Sequence, residues 1–555
     1  MEFADLIPIS KLDGVTLSGA CYKTPVDGTL CMTGHHLFLS SRKQGVEELW
    51  LLHMAIDMVE RKLNKESPGG VIIIKCKDFR VIMLGIDNTD HFNCIAQSLE
   101  DIVNMEVLKY KYAFYYRPLY PILEDGWKIF SPEDEIIKIC PIPEPEWRVT
   151  HCNEKYEVCS SYSRLLIVPN SITDDIIKES AKYRDLGRFP VLCYKYEAKS
   201  SILVRSSQPL PGPTAKRCKA DEKLLNGYLK SGKKGIIIDT RTQTLAQSAK
   251  NKGGGMELEM FYPQWRRVHK PVDKHTVLLD SLAKFVEASN DVTCSMDKWL
   301  SRLDGSSWMS NIKEILSCAH YVAQCLDQEG TTVLVHGSEG LDSTLVITSL
   351  VQVMLNPECR TIRGLQSLIE REWLQAGYPF QLRHRYSCYS PLRGKSQSPT
   401  FLLFLDCLYQ LQNQFVCSFE FSADFLILIF EHSYFSPYGT FLLNSEKERV
   451  DENLSTRTSS LWSYVNRPDL LAQLKNPLYQ VNKNVICPST SPVSLELWRA
   501  LYLRWVSDQS TQKSVWNKIA QLVDHDKQLT CKALTLRTQV IELEKQLQHS
   551  GLCKT

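Results

Sequence analysis

Short runs of alternating apolar and polar residues fill the first 110 positions of the chain, and such runs indicate β-strands. We predict meander strands at 29–40, 48–53 and 71–84, with a turn at 65–70. Apolar residues at helical spacing follow these strands: Phe92, Ile95, Leu99, Ile102 and Val103. This pattern predicts an amphipathic helix that caps one end of a strand barrel.

From about residue 120 to residue 510, strands alternate with helices. The predicted strands are 165–168, 190–194, 202–205, 235–239 and 331–335. The predicted helices are 221–229, 275–287, 308–327 and 343–355. This alternation predicts an α/β domain with a mostly parallel sheet, which binds ligands at the carboxyl ends of its strands. The segment 111–147 is rich in aromatic residues and prolines, which favour extended backbone, so we predict a linker packed on the large domain.

The most informative segment is 331–350, which reads TTVLVHGSEGLDSTLVITSL. It combines a buried strand, a tight glycine-containing turn and the start of an apolar helix. The first N–H groups of a helix are unpaired and lie at the positive end of its dipole, so this turn can cradle a phosphate. The candidate site is His336, Gly337, Ser338, Glu339, Gly340, Leu341, Asp342, Ser343 and Thr344. The alternative is an ordinary strand-turn-helix corner, in which the glycines serve only backbone geometry.

Two positions of this loop lack the groups that phosphate chemistry needs. Cysteine-dependent phosphatases place a thiolate nucleophile after the strand and, six residues later, an arginine that clamps the phosphate. Those two positions are Gly337 and Ser343 in this chain. Glycine supplies no nucleophile and serine supplies no positive charge. We expect no neighbouring cation to replace the arginine, so phosphate binding here should be weak.

The loop and most of the chain resemble the myotubularin family of phosphoinositide phosphatases. Active members carry VHCSDGWDRT, and residues 335–344 of this chain read VHGSEGLDST. Other matching segments are GRFPVL (187–192), RSSQP (205–209), DTR (239–241), GGGME (253–257), MDKWL (296–300), RTIRG (360–364), EREWL (370–374), FLLFLD (401–406), FEF (419–421) and FLLN (441–444). The resemblance is nearly end to end, and it is to the catalytically inactive subgroup of the family.

The resemblance implies a multidomain fold of α+β and α/β type. Residues 1–110 correspond to a PH-GRAM domain, 111–147 to the linker and 120–510 to an inactive, cysteine-phosphatase-like domain. It implies that the chain is not an enzyme. In active members, the aspartate at the position of Asp342 takes part in acid–base chemistry. Without a thiolate to assist, we expect this carboxylate to cap the helix that follows.

Several basic residues are candidates for the surroundings of the loop. They are Lys313, Arg360, Arg363 and Arg371. Long charged side chains usually keep their heads in water, so we favour surface positions for all four. The cluster RRVHK at 266–270 departs from the polar segment that active family members place near their substrate, which argues against substrate contacts there.

The carboxyl-terminal segment 515–549 has apolar residues at alternating three- and four-residue steps, which is typical of a coiled coil. The predicted partner interface is Ile519, Leu522, Leu529, Ala533, Leu536, Val540, Leu543 and Leu547, with Asp526 as the single polar position of the stripe. The alternative is a helix that docks on its own domain. We favour pairing between chains, because a docking helix usually has a wider apolar face.

The family resemblance implies the partners. The inactive subgroup pairs through the coiled coil with active myotubularin-related phosphatases, raises their activity or stability and directs their localisation on endomembranes, such as the endosome or endoplasmic reticulum. A homodimer is the competing assembly. The PH-GRAM domain implies contact with a phosphoinositide membrane surface. Two other functions stay open: an inert homodimer that binds phosphoinositides, and a weakly active lipid phosphatase with an unrecognised nucleophile.

Composition agrees with a cytoplasmic protein that is peripheral on membranes. Lys and Arg total 65 against 63 Asp and Glu, and this balance argues against a nucleic-acid partner. The 19 cysteines show no C-x-x-C pair and no metal-ligand spacing, so we expect reduced thiols, no metal and no cofactor. The acidic start MEFADLIPIS is unlike a signal peptide, and the longest apolar runs are too short to span a bilayer.

Overall fold

The computed structural model describes residues 3–549, apart from 21, 23, 42–47, 66–67, 140–144, 292–293, 395 and 506–510. Within these residues, the side chains of 3–4, 511–520, 523 and 548–549 are also outside the description. The described chain forms an N-terminal β domain, a large α/β domain and a long C-terminal helix. None of its described helices is both long enough and apolar enough to cross a bilayer.

The N-terminal domain is one antiparallel sheet with a covering helix. Its elements are α1 (Phe3–Leu6), β1 (Lys11–Ser18), β2 (Val26–Met32), β3 (His36–Ser40), β4 (Leu49–Leu52), β5 (Ile56–Leu63), β6 (Gly70–Cys76), β7 (Val81–Ile86) and α2 (Thr89–Val103). The strand order is β4-β3-β2-β1-β7-β6-β5. The predicted helix is confirmed as α2, which buries Phe92, Ile95 and Leu99 in the core of the domain.

Two of the predicted strands of this domain are hairpins. The run 29–40 divides into β2 and β3, and the run 71–84 divides into β6 and β7. Phe79 lies in the second turn with a φ of 73°, a left-handed conformation that the apolar pattern does not reveal. The strands β1 and β5 are not predicted by the pattern, because several of their positions are exposed and interrupt the alternation.

The first half of the large domain contains the second sheet. Its elements are α3 (Pro132–Ile139), β8 (Trp147–Thr150), β9 (Leu166–Pro169), α4 (Asp174–Tyr183), β10 (Val191–Tyr196), β11 (Ser201–Ser206), α5 (Lys219–Gly227), β12 (Gly235–Asp239), α6 (Gln243–Asn251), β13 (Trp265–His269), α7 (His275–Asn290), α8 (Met296–Gly305), α9 (Trp308–Asp327), β14 (Val333–His336) and α10 (Ser343–Leu355).

The second half of this domain is helical. It contains α11 (Ile362–Ile369), a π-helical turn (Glu370–Leu374), α12 (Phe380–Arg383), α13 (Thr400–Gln414), α14 (Ala423–Tyr434), α15 (Glu446–Asp451), α16 (Leu454–Arg457), α17 (Leu461–Val465), α18 (Pro468–Leu474) and α19 (Arg499–Tyr502). Helix α20 (Thr511–His549) ends the described chain.

The central sheet of the large domain has the order β10-β11-β14-β12-β13. The pairs from β11 to β13 are parallel and β10 is antiparallel, so the predicted, mostly parallel sheet is confirmed. The strand predicted at 165–168 belongs instead to a separate two-stranded sheet, as β9 paired with β8. The pattern also misses β13, an edge strand whose arginines are exposed.

Strand β14 is buried on both faces, which places the loop that follows it deep in the domain. Val333 and Val335 pack in one hydrophobic core, and Leu334 packs in a second core on the opposite face of the sheet. A strand between two cores reads as a continuous apolar run, which is the reason that the sequence reveals it. Helix α10 returns from the loop and is almost completely buried, so the loop is held at both ends.

Two of the four basic residues do not have the environment that we expect. Arg360 is buried and donates to the backbone carbonyls of Val353, Met354, Asn482 and Asn484. Arg371 is nearly buried, with Nη1 2.9 Å from the carboxylate of Glu135. Lys313 is half-exposed, and only Arg363 has a mainly exposed side chain. The surface assignment is therefore wrong for Arg360 and Arg371, whose donors satisfy carbonyl and carboxylate groups inside the fold.

The two domains are joined by a packed and hydrogen-bonded interface. Phe79 of the first domain stacks on Phe430 and Tyr502 of the second domain, at ring-centroid distances of 5.6 and 5.7 Å. The buried carboxylate of Asp57 accepts the backbone N–H groups of Ser387, Tyr389 and Ser390. Close packing and satisfied polar groups of this kind make one body of the two domains.

The connecting segment 111–147 lies against the large domain where it is described. Trp127 donates its indole N–H to the carbonyl of Thr458, at 2.9 Å, and the ring of Phe130 meets Trp462 in the main core. Glu135 of α3 is buried and accepts from Arg371. The segment therefore contributes side chains to the core of the large domain.

Candidate functional site

The candidate loop joins the carboxyl end of β14 to the start of α10. In the sheet register, His336 lies beside Ser206 of β11 and Asp239 of β12, so three parallel strands end at the loop. Gly340 has a φ of +68°, and a Cβ atom there would lie 2.5 Å from the backbone oxygen of Ser206. Only glycine fits this position without strain, so Gly340 fixes the path of the loop over β11.

Three side-chain hydroxyl groups lie next to Gly337. A Cβ atom at this position would be 3.1 Å from Oγ1 of Thr240, 3.3 Å from Oγ1 of Thr344 and 3.4 Å from Oγ of Ser343. Thr240 and Ser343 are hydrogen-bonded to each other at 2.8 Å, whereas the buried hydroxyl of Thr344 has no partner. The position of the nucleophile therefore holds no side chain, and weakly acidic hydroxyls surround it.

His336 is fully buried and faces a carboxylate. Its Nε2 lies 3.2 Å from Oε2 of Glu257, and Nη1 of Arg184 lies 2.6 Å from Oε1 of the same carboxylate. Burial alone would raise the pKa of Glu257, but the charges of His336 and Arg184 hold this pKa well below its usual range. Arg184 also pairs with Asp221 at 2.6 Å. This buried network holds the base of the loop in place.

Asp342 does not cap helix α10, and this prediction is wrong. It occupies the residue before the helix, yet its side chain makes no hydrogen bond to the helix N–H groups. The carboxylate instead accepts from Arg383, with Nη2 to Oδ2 at 2.8 Å, and from the hydroxyl of Thr400 at 3.1 Å. His275 lies 3.6 Å from the same carboxylate. An aspartate held this way is a structural anchor.

Arg383 is a cation beside the loop that the sequence does not reveal. Its side chain is 5% exposed, and it pairs with Asp342 and, at 3.4 Å, with Glu339. A cation therefore does lie beside the loop, and the sequence did not indicate which residue supplies it. Because two carboxylates of the loop already bind this guanidinium, its charge is balanced and unavailable to a phosphate. No local motif signals this role, since Arg383 is 41 positions from Asp342.

Two arginines from the segments that resemble the family, Arg188 and Arg241, bind protein oxygens at and around the loop. Arg188 is buried and donates to the carbonyl of Gly340 at 3.0 Å and to Oγ of Ser161 at 2.7 Å. Arg241 forms an ion pair with Asp239 at 2.7 Å. These arginines are bound to protein oxygens, so they give the loop its shape. Sequence reasoning identifies the segments but not these contacts.

Three buried cysteines of the large domain are unsuited to replace the missing nucleophile. Burial raises the pKa of Cys318 to about 12 and that of Cys359 to about 11, and it raises the pKa of Cys407 well above its usual range. Thiols with such pKa values are protonated at neutral pH and therefore unreactive. Among the described residues, we find no group of three or more histidines, cysteines, aspartates or glutamates arranged to hold a metal.

Helix α20 contains the residues that we predict as the partner interface, and the pairing itself stays a prediction. Six of its residues with described side chains are between 43% and 60% exposed: Leu522, Leu529, Leu536, Val540, Leu543 and Leu547. Ala533 and Asp526 are also exposed. Ile519 is in the helix, but its side chain is outside the described residues. We call these positions the apolar seam of α20.

The helix contacts its own domain through a different face. Lys527 forms an ion pair with Glu496 at 2.9 Å, and Cys531 and Thr535 are half-buried. In the heptad that places Asp526 at position a, these three residues occupy positions b, f and c, on the side away from a and d. The described side chains of the apolar seam therefore remain exposed although the helix contacts its own domain.

Models of two protein families match the chain. The myotubularin-like phosphatase domain matches residues 111–450, and the GRAM domain of the MTMR6-9 group matches residues 11–102. The fold, the strand-turn-helix loop and these matches agree. The chain belongs to the myotubularin family.

Relatives over almost the whole chain are myotubularin-related proteins. Myotubularin-related protein 9 of Bos taurus is 48% identical over 544 residues, which cover 98% of each chain. The protein of the same name from Caenorhabditis elegans is 38% identical over 567 residues, or 99% of each chain. The phosphatidylinositol-3,5-bisphosphate 3-phosphatase MTMR2 of Mus musculus is 35% identical over 513 residues, which cover 90% of this chain and 78% of MTMR2. The predicted resemblance is thereby confirmed.

Proposed function

We propose that this protein is a pseudophosphatase adaptor, which pairs through α20 with an active myotubularin-related phosphatase and raises its activity or stability. The observation that carries this proposal is the orientation of α20. The helix contacts its own domain through positions b, c and f, and the described apolar residues at positions a and d are exposed. Exposed leucines in a regular stripe are costly in water, and a partner helix removes that cost.

The chemistry of the loop supports the absence of catalysis. An in-line attack on a phosphate needs a nucleophile at the end of β14, where Gly337 has no side chain. The hydroxyl of Ser343 is hydrogen-bonded to Thr240, and no general base lies within hydrogen-bond distance of it among the described contacts. Asp342 is bound by Arg383 and Thr400. The groups that remain stabilise the loop and do not activate a nucleophile.

An adaptor can act on its partner by two physical routes. A protein that binds only the folded form of its partner stabilises that form by mass action. A dimer also carries two membrane-facing modules, so its effective concentration at a membrane surface rises. We place the complex on the cytoplasmic surface of endomembranes, such as the endosome or endoplasmic reticulum. The GRAM-domain match at residues 11–102 supports this peripheral role.

The test of pairing is a double substitution in the seam. We expect Leu529→Asp with Leu536→Asp to weaken association with an active myotubularin-related phosphatase at least about a hundredfold, because two leucines at the seam lose burial worth roughly 2 kcal/mol each. Light scattering after size-exclusion chromatography of the mixed full-length proteins gives the result. Leu534→Asp is the matched control, since Leu534 is 58% exposed but lies outside the seam.

Two results of this experiment would reject the adaptor. An unchanged complex with the double variant would show that the seam does not bind the phosphatase. A stable homodimer that excludes the phosphatase would support the inert homodimer instead. The weak-phosphatase hypothesis has a separate test: phosphate release from vesicles with phosphatidylinositol 3-phosphate by the purified chain alone. We expect no release above the rate of vesicles without protein.

A further inference from the structure

A cavity of about 220 Å³ lies where the two domains and the connecting segment meet. His53 and Lys77 line it from the first domain and Lys111 from the connector. His384 and Arg385 line it from the large domain, directly after α12. The cavity is distinct from the candidate loop, whose residues do not line it. We call it the interdomain cavity.

Lys77 is buried and Lys111 is half-buried in the interdomain cavity, and among the described residues neither ammonium group has an adjacent counter-ion. Lys77 is 7% exposed, and its ammonium group donates to the backbone carbonyl of His384 at 3.3 Å. In the described structure no carboxylate lies within 4 Å of the ammonium groups of Lys77 and Lys111. Arg385 pairs with Glu106, so this acidic residue of the wall is already neutralised. Unpaired buried charge is costly, and a bound anion removes that cost.

Burial and the neighbouring charges shift the pKa values of both lysines. Burial, together with the charges of Lys111 and Arg385, lowers the pKa of Lys77 to about 8, against the raising effect of Asp57. Burial and the charge of Arg385 also lower the pKa of Lys111, against the raising effect of Glu106. Asp57 compensates little of the lysine charge, because its carboxylate oxygens already accept three backbone N–H groups. The cavity therefore has an excess of positive charge.

Two imidazoles that line the interdomain cavity, those of His53 and His384, each have a ring nitrogen without a hydrogen-bond partner in the described structure. Nε2 of His53 lies 2.8 Å from the carbonyl of Thr33, so this nitrogen carries the hydrogen. Nδ1 of His384 lies 2.9 Å from the carbonyl of Ser433 and carries the hydrogen there. The other nitrogens, Nδ1 of His53 and Nε2 of His384, are buried and have no partner. In neutral imidazoles these atoms accept hydrogen bonds from hydroxyl groups.

We propose that the interdomain cavity binds a small phosphorylated polyol. Lysine ammonium groups bind the phosphate, and the imidazole nitrogens accept hydrogen bonds from the hydroxyls of the ligand. The size of the cavity suits a monophosphate without an acyl chain, since sites for larger ligands start at roughly 300 Å³. This chemistry occurs both in a soluble sugar or inositol phosphate and in the headgroup of a phosphoinositide. The proposal does not depend on the adaptor function.

The experiment is calorimetry on the full-length protein with three soluble probes: myo-inositol 1-phosphate, inorganic phosphate and unphosphorylated myo-inositol. We expect saturable binding of inositol phosphate, binding of inorganic phosphate at least tenfold weaker, and none of myo-inositol. Lys77→Met with Lys111→Met should reduce the affinity for inositol phosphate at least tenfold. Lys62→Met is the control. Lys62 is exposed on β5 and does not line the cavity, so this variant should bind inositol phosphate as the wild-type protein does.

Flotation with phosphatidylcholine vesicles, with and without phosphatidylinositol 3-phosphate, identifies the source of the ligand. Vesicle binding that soluble inositol phosphate competes away, and that the lysine variant loses, would support a lipid headgroup. Soluble binding without vesicle binding would support a free metabolite. Absence of saturable binding by the wild-type protein to both forms would overturn the proposal, and this result requires no variant to fold. Equal affinity in the double lysine variant, with an unchanged circular dichroism spectrum, would overturn it too.

Discussion

Replacing Lys77 by methionine should stabilise the protein, although it removes a charged side chain and a hydrogen bond. Lys77 is buried at the domain interface, with Lys111 and Arg385 as like-charged neighbours. Methionine has a similar length and fits an apolar environment without desolvation cost. The exchange therefore removes an unfavourable charge and leaves the packing nearly unchanged.

The pKa of Lys77 gives the size of the effect and its pH dependence. A pKa lowered from 10.5 to about 8 corresponds to a cost of about 3 kcal/mol, at 1.36 kcal/mol per pH unit. Between these two values the unfolded chain binds more protons at Lys77 than the folded chain, so wild-type stability rises with pH in this window. The full cost is present below pH 8 and disappears above 10.5. Methionine also loses the hydrogen bond from Lys77 to the carbonyl of His384, which reduces the expected gain in stability by about 1 kcal/mol.

The assay is urea unfolding of wild type and Lys77→Met in phosphate-free buffer at pH 7.0, 8.5 and 9.5. We expect the variant to be more stable at pH 7.0 by about 2 kcal/mol, and the difference to shrink steadily with rising pH. Other titrating groups are common to both proteins and cancel in the difference. A variant that is less stable at pH 7.0, or a difference that does not change with pH, would refute the reasoning that Lys77 is a buried, uncompensated charge.

Two further substitutions test the candidate loop. Arg383→Met should destabilise the protein by about 3–5 kcal/mol in thermal or urea unfolding, because it leaves Asp342 without its partner, and adding Asp342→Asn should recover part of that loss. A loss below 1 kcal/mol would mean that the pair is unimportant. Gly340→Ala should lower the free energy of unfolding by about 3 kcal/mol, because φ is positive there and the new Cβ would contact Ser206. Gly232 has a similar φ of +76° but open space around it, so Gly232→Ala should lower the free energy of unfolding by only about 1 kcal/mol. Equal losses would contradict this account.

The sequence predicts those elements whose apolar pattern is long or buried on both sides. The bounds of α9, α10 and β12 match the expected ranges because their apolar residues are continuous or repeat at helical spacing. The edge strand β13 is missed, since its exposed arginines hide the strand pattern. The hairpin turn at Phe79 is missed as well, because the contacts that stabilise its left-handed backbone come from the large domain.

The chemistry of the loop is predictable, whereas its ion pairs are not. Gly337 and Ser343 follow directly from the aligned motif, and the structure adds only their neighbours. The partner of Asp342 is a residue 41 positions away, and Arg360 reaches carbonyls more than 120 positions away. A single charged residue carries no local signal of such a partner, so the sequence cannot distinguish a buried anchor from a surface charge.

The end of the large domain is fastened to the first domain just before α20 begins. The indole of Trp505 donates to the carbonyl of Asp78 at 2.9 Å, and Arg504 lies 3.5 Å from the carboxylate of the same residue. The chain from Trp505 to Thr511 can span at most about 20 Å. The first domain and the start of α20 are thus connected over a short distance. In the proposed complex on a membrane, this short connection would limit how far the partner phosphatase can lie from the bilayer. Lengthening the connection should then change the distance between the phosphatase and the membrane without changing the affinity of the pairing.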